Sequence, residues 1–144
     1  MKFGFLSAFI AGNSYNNNIN GNNIISISPG GKKGLYYLGT LAYIKSNYNL
    51  HEYSYLGSSV GAWCSLYMCF KGDDNEFLKD VLSFNFKTQS LYKTQYLFKR
   101  TLLSKYTDND FDLNKLNIGI ACLGRFNKLS LKYNIYNKFN DLED

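Results

Sequence analysis

Histidine is the scarcest catalytic residue type in this chain of 144 residues, where it occurs once, as His51. The three cysteines, Cys64, Cys69 and Cys122, have no C-x-x-C spacing, so we expect no zinc site and no other bound metal. An odd number of cysteines in apolar segments is typical of buried free thiols in a reducing compartment. The sequence therefore predicts a cytoplasmic protein.

Concentrated charge and long apolar segments are also missing. The net charge of +5 arises from 16 basic and 11 acidic residues that are scattered along the chain, unlike the clustered basic patch of a nucleic-acid-binding protein. A modest positive charge still allows peripheral contact with an anionic membrane. The apolar residues 3–12 are too few to span a bilayer. No convincing A-x-A site follows them, which argues against a signal peptide.

The length and the apolar fraction of 45% are typical of one globular domain. Residues 1–23 are predicted to form an N-terminal strand or arm followed by an Asn-rich loop, and residues 24–144 the main domain. That domain begins with a strand at 24–28, a helix at 35–47 and a second strand at 53–56, an order that normally pairs the two strands in parallel. Further patterns predict helices at 60–70, 73–82 and 88–105, a loop at 106–112, and strands at 117–123 and 129–136 joined by a hairpin at 124–128. We expect an α/β fold with a mainly parallel sheet covered by helices.

Residues 57–61 match G-x-S-x-G and lie between the second predicted strand and an apolar helix. This order of strand, glycine-bounded serine and buried helix is the context of a nucleophile elbow. Gly57 and Gly61 allow the backbone to turn sharply, and the turn presents Ser59 at the positive end of the following helix. The motif predicts Ser59 as a nucleophile.

A serine nucleophile needs a general base, and His51 is badly placed to be one. It precedes Ser59 by 8 residues across a strand, which is about 25 Å at ~3.3 Å per residue. A Ser–Asp–His triad of the α/β-hydrolase type is therefore excluded.

A second glycine-rich segment, Gly30 and Gly31, lies directly after the first strand and before a helix. Backbone N–H groups at such a position bind anions, and parallel neighbouring strands would bring them to the same sheet edge as Ser59. The alternative is a tight turn that merely requires glycines. A phosphate-binding loop is excluded, because G-x-x-x-x-G-K-[ST] does not occur.

The two motifs together resemble those of the patatin-like phospholipase family, which carries G-G-G-x-[RK]-G followed by G-x-S-x-G. Residues 29–34 read P-G-G-K-K-G, so Lys33 and Gly34 match the family motif and Pro29 replaces its first glycine. Because Pro29 has no N–H, the resemblance implies an oxyanion hole made by Gly30 and Gly31 with help from Lys32. The second motif matches without departure.

The resemblance extends over residues 24–144 and implies a three-layer α/β/α domain. It also implies a lipid acyl hydrolase that uses a Ser–Asp dyad and an acyl-enzyme intermediate, with a lipid or phospholipid acyl ester as substrate and no cofactor. The oligomeric state does not follow from it.

The aspartate of the dyad is the main departure from the family pattern. The family places it in D-G-[GA], whereas none of the eight aspartates of this chain precedes a glycine. We therefore expect that the chain stops inside the fold, that the C-terminal part of the domain is missing, and that residues 1–144 alone are inactive. One alternative is a non-catalytic truncated relative that binds a lipid or partner or has no function. Another is a small structural or interaction protein in which both glycine motifs are only turns.

Overall fold

The computed structural model describes residues 23–84, 90–124 and 130–144. The predicted N-terminal arm and the hairpin connection after residue 124 lie outside these residues, so the proposed domain boundary at 23/24 stays a prediction. In chain order the main elements are β1 (Asn23–Ile27), α1 (Tyr37–Asn47), β2 (Tyr53–Gly57), α2 (Val60–Cys69), α3 (Asp74–Leu82), α4 (Leu91–Lys105), β3 (Leu116–Gly124) and β4 (Ser130–Tyr136). Short 3-10 helices occupy Gly31–Tyr36, Asp108–Asp110 and Leu113–Lys115.

The four strands form one sheet in the order β1-β2-β3-β4. β1 pairs with β2 in parallel, β2 pairs with β3 in parallel, and β3 pairs with β4 antiparallel. The predicted parallel pairing of the first two strands is thus confirmed, as is the α/β class with a mainly parallel sheet. Both parallel pairs arise because helices cross over between the strands.

The core lies between the helices and one face of the sheet. Ile27, Tyr55 and Leu116 come from three adjacent strands, and all three are buried. Across from them, the residue that follows α2, helix α3 and the segment after α4 contribute rings to an aromatic cluster that includes Phe70, Phe77, Tyr106 and Phe111. An apolar helix buried on most sides was expected for α2, and its Tyr67 is fully buried.

Two predicted helix starts can be compared with the structure. Asp73 caps α3, because its carboxylate accepts a hydrogen bond from the Asn75 N–H at 2.8 Å. Ser90 caps α4 in the same way through the Lys93 N–H at 3.3 Å. The prediction of a loop at 106–112 was incomplete, because the 3-10 helix Asp108–Asp110 forms a capping box with Thr107 there. In the described part of the chain, every helix is too short or too polar to cross a membrane.

Candidate active site

The two glycine-bounded turns meet at one edge of the sheet. The last parallel pair between β1 and β2 joins Ile27 to Gly57, so both strands end at the same level. The 3-10 helix that starts at Gly31 follows one strand, and α2 follows the other. Gly31, Lys32 and Ser59 consequently line a single cavity, whereas Gly30, the other predicted donor, is not part of its lining.

Ser59 has a backbone conformation that L-residues rarely adopt. Its φ is 56° and its ψ is −127°, and among the described residues it is the one non-glycine with positive φ. The chain enters α2 immediately afterwards, because the N–H groups of Gly61 and Ala62 donate to the carbonyls of Ser58 and Ser59, each at 2.9 Å. Such a conformation costs about 1–3 kcal/mol and persists only where the surroundings impose it.

Close packing explains the glycines on either side of Ser59. A Cβ at Gly57 would collide with the carbonyl of Gly61, and a Cβ at Gly61 would collide with the carbonyl of Ile27. α2 therefore approaches the backbones of β1 and β2 more closely than a larger side chain would permit. The strain at Ser59 is imposed by this approach of the helix to the sheet.

The turn after β1 is shaped by glycines in two ways. Gly31 has a φ of 52° and open space where a Cβ would be, so its conformation and not crowding favours glycine. Gly34 is crowded, because a Cβ there would meet the Val60 side chain at the start of α2. The motifs that contain Gly34 and Val60 are thus in direct contact across the site.

The first turn of a helix leaves backbone N–H groups without an acceptor in the helix. Gly30 is the N-cap of the 3-10 helix, and its carbonyl accepts from the Gly34 N–H at 3.1 Å. Gly31 and Lys32 line the cavity together with Ser59, whereas Lys33 does not, and both lysines are exposed. These positions are compatible with the predicted oxyanion donors.

The cavity behind Ser59 is small and almost entirely apolar, with a volume of about 40 Å³. Its lining beyond the two turns consists of Leu35, Leu38, Val60, Trp63, Cys64, Phe77, Val81, Thr94, Gln95 and Phe98. The contributions of α3 and α4 were missed by the sequence reasoning. Amphipathic stripes predicted inward-facing residues in both helices, but no sequence signal indicated that these residues would face Ser59.

No general base accompanies Ser59. All eleven acidic residues and His51 belong to the described part of the chain, and none of them lines the cavity. His51 lies exposed in the turn before β2, at the opposite end of that strand from Ser59. The lining of this cavity therefore contains no carboxylate or imidazole that would accept the proton of the Ser59 hydroxyl.

The lining also contains the hydroxyl of Thr94, which donates to the Ser90 carbonyl at 3.1 Å, and the thiol of Cys64. Burial raises the pKa of this thiol to about 12, which keeps the thiol protonated and unreactive at neutral pH. Among the described residues, no three His, Cys, Asp or Glu side chains are grouped closely enough to hold a metal ion. Ser59 is thus the chemically distinctive residue of the site.

Comparison of the chain with protein-family models, with curated proteins and with solved structures finds no match. The fold and the site geometry therefore carry the functional argument.

Proposed function

We propose that this chain carries the nucleophile half of a patatin-like lipid acyl hydrolase, of the phospholipase A or acylglycerol esterase type. The observation that carries the proposal is the positive φ of Ser59 at a strand-to-helix turn. Strained backbone at a chemically capable residue, beside backbone donors and an apolar cavity, is the arrangement that acyl transfer requires.

In the proposed reaction, the Ser59 oxygen attacks the carbonyl carbon of an acyl ester. The developing oxyanion accepts hydrogen bonds from the Gly30 and Gly31 N–H groups, since Pro29 has none to offer. Solvent water carries the Ser59 proton to the leaving oxygen, so that collapse of the tetrahedral intermediate breaks the C–O bond, releases the alcohol and leaves an acyl-enzyme, which a second water hydrolyses to the free acid and Ser59. No metal or organic cofactor takes part.

The proposed reaction lacks a general base to accept the proton of the Ser59 hydroxyl. The family dyad assigns this role to an aspartate that these 144 residues do not place near Ser59. A site with oxyanion donors and binding alone retains about 10³–10⁴-fold catalysis over water. We therefore expect little or no turnover of acyl esters by residues 1–144 alone, and any residual reactivity should be selective for Ser59.

The missing base also supports the alternative, a non-catalytic module that binds a lipid or a partner. That reading keeps the cavity and assigns no chemistry to Ser59. The two proposals differ in the reactivity of one hydroxyl.

Contact with a membrane surface is favoured by the composition of α4. The helix contains four basic and no acidic residues, and its Tyr92 and Tyr96 are exposed on consecutive turns. The opposite side of the same helix lines the cavity through Thr94, Gln95 and Phe98. Tyrosine and basic side chains are suited to an anionic membrane interface, so α4 would hold the site close to its lipid substrate.

Vesicle sedimentation tests the membrane contact. The chain should pellet with phosphatidylserine-containing vesicles and remain in solution with pure phosphatidylcholine vesicles. Lys93→Gln combined with Arg100→Gln should weaken pelleting, whereas Lys79→Gln, at an exposed position of α3, should not. Equal pelleting with both vesicle types would contradict an electrostatic contact.

A fluorophosphonate probe tests the hydrolase proposal, because it reacts with serines whose hydroxyl is activated. Peptide mass spectrometry should find slow labelling at Ser59, and Ser59→Ala should abolish it. Ser58→Ala is the matched control and should leave labelling intact. Labelling spread equally over Ser58 and Ser59 would favour the binding module. Labelling as fast as that of a complete serine hydrolase would show that no further base is needed.

A further inference from the structure

A second cavity lies on the other side of Trp63. It has a volume of about 280 Å³, near the lower end of the range of ~300–1,000 Å³ for small-molecule sites. Helices α2 and α4, strand β3 and the last residues of the chain surround it. Its apolar lining consists of Ala62, Trp63, Leu66, Leu102, Leu103, Leu113, Leu116, Ile118, Phe139 and Leu142.

The cavity at Ser59 cannot hold a lipid chain by itself. Its volume of about 40 Å³ leaves room for only a few waters, since one water needs ~10–15 Å³. A fatty acyl ester at Ser59 must therefore place its chain elsewhere. The larger cavity is adjacent, and it has the room.

Trp63 forms a shared wall, because its side chain lines both cavities. The indole packs edge-on against Phe98 with ring centroids 4.7 Å apart. Its side chain is partly buried and packs against the core, which agrees with its position between two cavities. A chain that lies beside this ring would connect Ser59 to the larger cavity.

The charge at the rim of the larger cavity determines whether the cavity accepts the head or the alkyl chain of a lipid. Asp141, Glu143 and Asp144 lie there with a single cation, Lys99, whose ammonium donates to the Glu143 backbone carbonyl at 2.7 Å. This excess of carboxylates disfavours the anionic head of a free fatty acid. It leaves the apolar interior available to an uncharged alkyl chain.

We propose that the cavity between α2, α4 and β3 binds the alkyl chain of the acyl substrate, with the ester held at Ser59 and the chain against the Trp63 indole. The inference rests on the proposed function for the position of the ester. The binding of an alkyl chain is measurable without any reaction at Ser59.

Trp63 is the one tryptophan of the chain, so its fluorescence reports directly on the shared wall. Bromine quenches indole fluorescence on contact. The methyl ester of a terminally brominated dodecanoic acid should quench Trp63 saturably, whereas its unbrominated counterpart should not. The quenching should be the same in Ser59→Ala, which keeps the cavity and removes the chemistry.

Filling the cavity provides the critical variant. Ala62→Phe places a ring in it and should weaken the apparent affinity at least about tenfold, because the ring displaces two or more buried methylene groups. Leu50→Phe is the matched control, since it fills a separate hollow beside Tyr43 and Tyr53. Ile118→Phe fills the proposed cavity from the sheet side and serves if the helix variant does not fold.

Absence of quenching would overturn the proposal, and so would quenching that both filling variants leave unchanged. Quenching that is lost in a filling variant and kept in Leu50→Phe would support it. If the quenching persists in a chain whose Ser59 shows no fluorophosphonate labelling, the chain-binding cavity is supported and only the hydrolase proposal fails.

Discussion

The turns after β1 and β2 have similar geometry but place different residue types at the position of positive φ. Each leads from a parallel strand into a helix at the same sheet edge, and each contains a residue with positive φ. After β1 that residue is Gly31, for which the conformation carries no steric penalty. After β2 it is Ser59, for which the same sign of φ is strained.

This difference between Gly31 and Ser59 indicates that the turn after β2 keeps a side chain at a position where the backbone conformation favours glycine. A glycine at position 59 would relieve the strain and leave the path of the chain unchanged, but it would remove the hydroxyl. The turn after β1 offers backbone N–H groups, and a glycine is sufficient for that purpose. The turn after β2 offers an oxygen, and this requires a side chain.

The largest effect is expected where the turn after β2 has no space. Gly57→Ala would place a Cβ against the Gly61 carbonyl and the Ser65 hydroxyl. We expect a loss of about 3 kcal/mol or more in the free energy of unfolding, since neither backbone can yield. Urea denaturation measures it.

Gly39→Ala is the matched control for this variant. Position 39 lies in α1 with nothing within 4 Å of an added Cβ, so the change should stabilise by about 0.5–1 kcal/mol through helix propensity. Equal losses at the two positions would mean that crowding does not shape the turn.

The next effect concerns the contact between the two helices that follow the turns. Lys45 at the end of α1 donates to the Phe70 carbonyl at 2.6 Å and to the Asp74 carboxylate at 2.5 Å, which ties α1 to the end of α2. Its side chain is only 18% exposed. Lys45→Met should lower the free energy of unfolding by about 2 kcal/mol, because it removes charged hydrogen bonds and leaves the Phe70 carbonyl and the Asp74 carboxylate without this donor. The exposed Lys79→Met is the control, and a comparable loss there would contradict this role.

A smaller effect should follow from Gly31→Ala. The added Cβ meets no atom, so the cost is that of the left-handed backbone alone, about 1 kcal/mol. Gly31→Asn should cost less, because asparagine tolerates positive φ. Thermal unfolding of the two variants checks the order. An alanine variant as stable as the parent would indicate that the turn after β1 had changed its conformation.

The smallest effect on the free energy of unfolding near neutral pH is expected from buried thiol and phenol groups, those of Cys64, Cys69 and Tyr55. Burial raises the pKa of Cys64 and of Cys69 from 9.0 to about 12 and that of Tyr55 from 10.0 to about 12. Because the folded state holds these protons more tightly than the unfolded state, their contribution is complete below pH 9 and is lost as pH rises towards 12. Urea denaturation at pH 7, 9 and 10.5 should give nearly the same free energy of unfolding at pH 7 and 9 and a lower value at pH 10.5. Cys64→Ala should make the decline shallower, and a decline of unchanged slope would contradict this assignment.

Much of this architecture followed from local sequence pattern. The order of strand, helix and strand over residues 24–56 predicted the parallel pair, and the glycines around Ser59 predicted the sharp turn, because both depend on residues close together in the chain. The closure of α3 and α4 over Ser59 depends on packing between distant segments. For the same reason, the position of Trp63 between two cavities had no local signal.

The turn after β2 holds Ser59 in a strained conformation, and the strain can be measured by comparing the stabilities of four variants. Alanine and glycine are placed at position 59 and, as the reference, at its unstrained neighbour Ser58. At position 58 glycine should be less stable than alanine by about 0.5–1 kcal/mol. At position 59 the order should reverse, and the difference between the two pairs should reach about 1–3 kcal/mol, which is the strain itself. The same glycine–alanine difference at both positions would show that Ser59 carries no strain and would contradict the account.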